Sequence, residues 1–240
     1  MSIYCFICTR DKNFPTILKG SLSFFKKLGA KPYVAVGETS IFKAFSSLYN
    51  KVRPNDDDII ILCHDDILIQ DKPEDFKKTL EEYLTRKDVG FVGPAGAAYF
   101  TDECVWWNNM HLYRGLLRGS ATHGKLTDPK KWKITTYGPP GSVVVLDGLF
   151  LAARGETLKK INLNKPKEFE GEWDYYDIWY TYQTWKQGLL NYAIPMKILH
   201  ESSGEIQGRE SWEKNRLAFA KLAFGYFPMM VKNEILIPRH

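Results

Sequence analysis

The sequence predicts an α/β fold in which a mostly parallel sheet is flanked by helices, followed by an irregular insertion and a C-terminal helix. Three observations predict it. Apolar runs of strand length alternate with amphipathic helical patterns over the first 63 residues, in the order strand, helix, strand, helix, strand, which is the signature of right-handed crossovers. The third run, Asp58 to Ile67, carries five consecutive apolar residues and reads as a strand buried on both faces. With 240 residues, 44% of them hydrophobic and 14% aromatic, the chain can bury a large core and reads as one domain.

Taken in order, Ile3 to Cys8 is the first buried strand, followed by Thr9, Arg10 and Asp11. Asn13 and Pro15 start a helix whose apolar positions Ile17, Leu18, Phe24, Phe25 and Leu28 recur at three-and-four spacing up to Gly29. Tyr33 to Val36 is a short strand ending at Gly37 and Glu38, and Ser40 is placed to cap a second helix carrying Phe42, Phe45 and Leu48. After the organising third strand, Asp71 and Pro73 open a helix that runs to about Thr85, with Glu74 and Asp75 favouring its dipole. Val89 to Val92 is another buried strand, ending in the turn Gly93-Pro94-Ala95-Gly96.

From Ala97 to Pro140 periodicity breaks down, apart from a brief helical spacing around His111 to Leu117. The segment is rich in aromatics, among them Trp106, Trp107 and Trp132, and in Lys125, Lys130, Lys131 and Lys133. Its aromatics suit either a binding loop or a cover over the core. Ser142 to Leu146 and Leu149 to Ala153 are two β-like runs around Asp147-Gly148, either a hairpin or one bulged strand that aims Asp147 into a site. Glu156 to Ile161 reads as a short helix. Trp173-Asp174-Tyr175-Tyr176-Asp177 opens a helix to Gly188 in which Asp174 and Asp177 share the polar face of the first turn, as a cap or as a general base. Asn191 to Leu199 forms a strand ending in His200, and a helix from Arg209 to about Phe224 is hinged by Gly204 and Gly208.

The third strand ends abruptly in His64, Asp65 and Asp66. Ligands of open α/β sheets sit outside the carboxyl ends of the strands, so carboxylates there are placed to hold a divalent cation with a phosphate-bearing ligand; the alternative is a solvated acidic turn. Charge and cysteine usage narrow the remaining classes. A net charge of +5 suits an anionic ligand but lacks the clustered basic stripe that nucleic-acid binding requires. Four cysteines make no disulfide framework in a chain of this length, and Cys5 and Cys8 point to opposite faces of a strand, which disfavours a shared metal. No run approaches the roughly 18 apolar residues of a membrane span, and no leader pattern opens the chain, so a cytoplasmic location with no transmembrane segment is expected.

Alternating strands and helices, the acidic end of a buried strand, the Asp147-Gly148 pair, the Trp173-to-Asp177 helix start and the strand-end His200 together resemble the GT-A (Rossmann-like) class of nucleotide-sugar glycosyltransferases, nearest to its family 2-like members. The resemblance covers residues 1 to about 204, with the insertion and the C-terminal helix outside it. In that class the acidic motif is usually Asp-x-Asp. Here His64-Asp65-Asp66 replaces the first acid with His64, and the family's Glu-Asp motif becomes Tyr176-Asp177. The resemblance implies a Mn2+ or Mg2+ ion held by Asp66 and His200, and donor contacts from Thr9, Arg10, Glu38, His64 and Asp65. It implies Asp177 as the catalytic base with Asp174 behind it, and Asp147, Trp106, Trp107 and Trp173 facing the acceptor. Residues 1–100 would bind the nucleotide sugar, 101–204 the acceptor, and 205–240 would form a helical extension. The implied activity is metal-dependent, inverting transfer of a sugar from a nucleoside-diphosphate donor, a UDP-sugar by preference, to a glycan, glycoconjugate or other hydroxyl acceptor. Two alternatives stand beside it: an inactive glycan- or nucleotide-binding module, and a sugar nucleotidyltransferase, which would want a glycine-rich phosphate loop that Thr9 to Asn13 lacks.

Overall fold

The computed structural model describes residues 1–108, 110, 112, 114–202 and 209–231. Its first apolar run is strand β1 (Ile3–Thr9), followed by α1 (Thr16–Lys27), which turns Ile17, Leu18, Phe24 and Phe25 inward. Gly29, at φ 82°, makes the left-handed turn that ends this helix. Strand β2 (Ala30–Val36) starts earlier than its apolar pattern suggests and includes Pro32, tolerated because β2 is an edge strand. Ser40 Oγ accepts the Lys43 N–H at 3.3 Å and so caps α2 (Ile41–Val52) as expected. Then come β3 (Ile59–His64), β4 (Ile67–Ile69) and α3 (Pro73–Leu84), whose first turn holds Glu74 and Asp75.

The remaining strands are β5 (Val89–Gly93), β6 (Ala95–Ala97), β7 (Tyr99–Phe100), β8 (Leu117–His123), β9 (Lys133–Gly138), β10 (Gly141–Val143), β11 (Val145–Leu146), β12 (Phe150–Arg154), β13 (Leu190–Ala193), β14 (Ile198–His200) and β15 (Met229–Met230). The later helices are α4 (Gly155–Lys159), α5 (Tyr176–Lys186) and α6 (Glu210–Leu222). A seven-stranded sheet runs β10-β13-β5-β12-β3-β1-β2. Within it β1, β2 and β3 are mutually parallel, as are β5 and β13, while β12 lies antiparallel between the two groups and β10 is an antiparallel edge. Alternate residues of β1 and β3 feed opposite cores: Phe6, Ile60 and Leu62 pack with α2, and Cys5, Ile7, Ile61 and Cys63 pack with α1 and α3. That two-sided burial is why these runs lack polar alternation.

The second sheet, β11-β6-β8-β14-β4 with β9 on β8, corrects several expectations. The Gly93-to-Gly96 stretch is no turn: at Pro94 the chain leaves the first sheet and continues as β6. Asn191 to Leu199 is likewise two strands, parted at Pro195. The runs around Asp147 form neither a hairpin nor one bulged strand, since β11 pairs with β6 and β12 with β3 and β5. The Ala97-to-Pro140 segment is not irregular throughout, because β8 and β9 pair antiparallel within it. The buried positions of β8 include Gly119, Ala121 and Thr122, and β9 has no buried residue, so hydropathy does not display their alternation. Asp174 caps nothing: α5 starts at Tyr176 with Tyr175 as its N-cap residue. The proposed hinge at Gly204 and Gly208, and part of the helical spacing near His111, lie outside the described residues. No described helix is long and apolar enough to cross a membrane.

Candidate active site

Four strands end where the chain crosses from the seven-stranded sheet to the six-stranded one: β3 continues into β4, β5 into β6, β10 into β11 and β13 into β14. A cavity of about 360 Å³ opens along this seam. His64, Asp65 and Asp66 are the crossing between β3 and β4. β14 lies antiparallel to β4 with His200 opposite Ile67, and the Glu201 N–H donates to the Asp66 carbonyl at 2.8 Å. This register brings His200 Nε2 to 3.3 Å from Asp66 Oδ2. His64 Nδ1 lies 3.6 Å from Asp66 Oδ1. Burial works against the Asp66 anion, but the contact with His200 and the charge of His64 and His200 outweigh it and hold its carboxyl far below the usual range. Burial also opposes a charged His64, yet Asp66, with Asp147 and Asp177 beyond, raises its pKa.

One ligand atom each of His64, Asp66 and His200 lies within 4.8 Å of the other two. Asp66 Oδ1 and His200 Nδ1 are buried and have no hydrogen-bond partner among the described residues. Donors around an ion with bonds of about 2.1 Å lie about 3–4 Å apart, so a modest inward turn of these side chains would close the trio on a divalent cation. Two imidazoles and one carboxylate suit a transition cation better than Mg2+, which prefers an all-oxygen shell.

The opposite wall is the start of α5. Tyr175 takes a left-handed φ of 69°, its hydroxyl donates to the Cys104 carbonyl, and its ring lies 5.5 Å from that of Trp212. After this kink Asp177 faces the cavity beside Asp147. Burial and the Asp147 charge push the Asp177 carboxyl up to about 7, against the opposing hydrogen bond from the Ile178 N–H at 2.8 Å. Asp147 Oδ1 accepts the Leu149 N–H at 3.0 Å, which fixes the crossing loop. Tyr176 spans the two walls: its hydroxyl donates to the Gly148 carbonyl at 2.5 Å and lies 2.9 Å from His64 Nε2. Only glycine fits at 148, because a Cβ there would sit 2.3 Å from that hydroxyl.

Asp174 also lines the cavity but is already paired. Its side chain is buried, receives Arg209 Nη2 at 2.9 Å and the Ser211 hydroxyl at 2.7 Å, and so anchors α6 against the cavity rim. Trp106, Trp107 and Trp173 all line the cavity. Trp106 is almost fully buried, with its ring 5.1 Å from Tyr137 and 5.6 Å from Trp107, so it supports the wall as much as it faces the space. Thr9, Arg10, Glu38, Asp65 and Asp66 are not among the lining residues. Arg10, Glu38 and Asp65 gather around the end of β1, where the charges of Asp65 and Glu38 add to the burial that pushes the Cys8 thiol up to about 12 and Arg10 opposes them. Arg10 adjoins the cavity through its guanidinium, 3.8 Å above the Trp173 ring. Thr9 is buried, and its Oγ accepts the Asp11 N–H at 3.2 Å.

Sequence reasoning missed His123, Tyr176, Arg209 and Trp212, all cavity-lining. His123 pairs in register with His200, and their rings lie 5.5 Å apart. It sits at the end of a strand whose alternation is hidden, whereas Tyr176 could have been found beside Asp177 as a polar aromatic on an otherwise apolar helix face.

The profile of a family described as "Glycosyltransferase like family" matches residues 31–220. That match runs through the insertion and most of α6, both of which the sequence motifs had left outside. No curated protein matches the chain in sequence. Among solved structures, one titled "Crystal structure of GalNAc-T7 with UDP, GalNAc and Mn2+" is similar at 10% identity with a TM-score of 0.52, over 93% of this chain and 48% of that one. The chain therefore spans about half the length of that neighbour, and the likeness shows a shared fold. The structure of A197 from STIV is matched at 13% identity and a TM-score of 0.44, over 88% of this chain and 99% of that one. With a family match over most of its length and a shared architecture, the chain belongs to the glycosyltransferase-like family and is a glycosyltransferase of the GT-A fold.

Proposed function

We propose that the protein transfers a sugar, with inversion, from a nucleoside-diphosphate donor to a hydroxyl of a glycan or glycoconjugate, and that it depends on a divalent cation. The observation that carries this reading is a cavity lined by His64 and His200, which with Asp66 beside them form a candidate cation trio, and by Asp177, whose carboxyl is raised to about 7. Asp66, His200 and His64 would hold the ion, Mn2+ in preference to Mg2+. Bound there, it would neutralise charge developing on the departing diphosphate.

The chain's own residues supply the rest. Asp177 takes the proton of the acceptor hydroxyl as that oxygen attacks the anomeric carbon and the bond to the diphosphate oxygen breaks. A carboxyl raised to about 7 is a stronger base than an ordinary aspartate and is still about half ionised at neutral pH. Asp174, tied to Arg209 and Ser211, takes a supporting role in this reading and not the proton. Arg10, Glu38, Asp65 and the Thr9 turn serve the nucleotide side, and the half formed by residues 1–100 holds the donor. Trp107 and Trp173, with Asp147, serve the acceptor half within 101–204, since apolar ring faces suit the flat faces of a sugar. UDP is favoured as the nucleotide because the similar fold carries UDP and Mn2+ in its title. Four buried, unpaired cysteines suit a reducing, cytoplasmic setting.

The test is turnover of a panel of nucleotide sugars with Mn2+ by wild type, Asp66→Ala and Asp177→Asn. Both variants should stay folded and lose at least 100-fold in turnover. Undiminished turnover in either defeats its assigned role, and the anomeric configuration of the product decides inversion.

A further inference from the structure

Tyr176 has one hydroxyl proton and two polar neighbours. The Gly148 carbonyl, at 2.5 Å, can only accept, so the proton must lie between these two oxygens; otherwise two lone pairs would face each other at that distance. The phenol oxygen is then left to accept, and His64 Nε2, 2.9 Å away, must be the donor. With Nε2 bearing its hydrogen, the neutral imidazole keeps its free lone pair on Nδ1, the nitrogen that lies 3.6 Å from Asp66 Oδ1.

We infer that Tyr176 is a positioning residue: it holds His64 in the Nε2–H tautomer and so makes His64 Nδ1 a ligand for the divalent cation that Asp66 and His200 bind. The inference rests on the cation reading above and deepens it, naming the His64 atom that ligates and the group that holds it there. Carbonyl-anchored partners of a ligating histidine fix its tautomer and ring direction, and removing one costs about 10–100-fold in metal affinity. The Tyr176 ring is itself held edge-on by Phe45 at 5.7 Å and by Tyr180 at 5.9 Å, so its hydroxyl has little freedom to follow a different histidine geometry. It also immediately precedes Asp177, so the relay Gly148–Tyr176–His64 links the chain position of the base to the cation pocket through two hydrogen bonds.

The experiment uses Mn2+ alone as the probe, titrated into the metal-free protein and followed by the loss of the free Mn2+ electron paramagnetic resonance signal. Tyr176→Phe keeps the ring and deletes the hydroxyl, and its Mn2+ affinity should fall about 10-fold or more. Tyr180→Phe is the matched control, since it removes another buried tyrosine hydroxyl, one that donates to the Leu163 carbonyl at 2.7 Å, and should leave Mn2+ affinity unchanged. An equal loss in both variants, or no loss in a folded Tyr176→Phe, overturns the inference. The tautomer is read separately in the wild type from imidazole nitrogen shifts by NMR at pH 8.5, with the His64 signals identified by their disappearance in His64→Gln. An Nε2–H ring is expected, and an Nδ1–H ring overturns the inference whether or not Tyr176→Phe folds. Should the wild type bind no Mn2+, or Asp66→Ala bind it undiminished, the cation reading itself fails and the ligand role of His64 fails with it. Tight wild-type binding with an unaffected Tyr176→Phe refutes the positioning role alone.

Discussion

Asp177→Asn should abolish turnover and yet make the metal-free protein more stable, by an amount that grows with pH. The carboxyl is raised from 3.8 to about 7, a difference of roughly 3 units, or about 4 kcal/mol at 1.36 kcal/mol per unit. Because the folded-state pKa lies above the unfolded one, the folded protein keeps a proton between those values that the unfolded chain has already released. Stability therefore falls as pH rises through this window, and the full penalty is present above about 7. Asparagine does not titrate, and its side-chain oxygen can still accept the Ile178 N–H, so the variant escapes the penalty. Integrating between the two pKa values, the penalty is about 2 kcal/mol at pH 5 and about 4 kcal/mol at pH 8. The gain of Asp177→Asn over wild type should thus be about 2–3 kcal/mol larger at pH 8 than at pH 5. That difference is insensitive to how well the amide packs, since packing contributes equally at both pH values. Urea unfolding of both proteins in EDTA measures it, the chelator being needed because a bound cation would itself favour the Asp177 anion. Equal gains at pH 5 and pH 8 would refute the raised carboxyl, and with it the physical case for Asp177 as the base. A stabilising, inactivating substitution is what a site held against its own folding preference predicts.

The neighbouring charge gives a second prediction: Asp147→Asn removes one of the two causes raising Asp177, so the acidic limb of kcat/KM against pH should move to lower pH, as a pH–rate profile will show. Mn2+ affinity should increase with pH through the histidine range, because the raised His64 must lose a proton to the solvent before Nδ1 can ligate; calorimetric titration in two buffers of different ionisation enthalpy counts that proton. Asp174→Ala should cost about 2–3 kcal/mol in urea unfolding, through the lost Arg209 and Ser211 contacts, while Mn2+ affinity stays unchanged. A large loss of Mn2+ affinity there would mean that Asp174 belongs to the cation pocket.

Those tests fall on residues that differed in how openly the sequence announced them. β1, β3 and β5 were legible because burial on both faces leaves unbroken apolar runs, and α1 to α3 because one buried stripe each imposes helical spacing. Asp66 and His200 stood out as polar residues ending such runs. What stayed hidden was the seam. Whether an apolar run continues straight or crosses into another sheet depends on which strand lies beside it, and a one-dimensional pattern does not carry that information. Hence β5 and β6 read as strand and turn, and β13 and β14 read as one strand. The capping reading of Asp174 failed for a related reason: the spacing from Asp174 to Asp177 is that of a helix cap, but the left-handed Tyr175 between them starts the helix later and gives the two carboxylates different partners.

The seam also explains why the chemistry gathers where it does. Inside either sheet the backbone polar groups are consumed by the ladder, and side chains stand above and below it in apolar layers. At a crossing the ladder breaks, and its groups need other partners. The Asp66 carbonyl takes the Glu201 N–H, the Leu149 carbonyl takes the His64 N–H at 3.1 Å, and the Gly148 carbonyl takes the Tyr176 hydroxyl. Each of these bonds joins one crossing, or the helix start, to another through a backbone carbonyl, so the residues beside them, Asp66 with His200, His64 with Asp147, and Asp177, are held near one another by bonds that do not involve their own side chains. The proposed cation site and base must keep their separation to within a fraction of an ångström for transfer to be efficient. Weakening a crossing without touching a site residue should therefore lower turnover more than it lowers stability. Gly148→Ala, whose Cβ would displace the Tyr176 hydroxyl, is the direct case: comparable losses in unfolding free energy and in activation free energy would count against it.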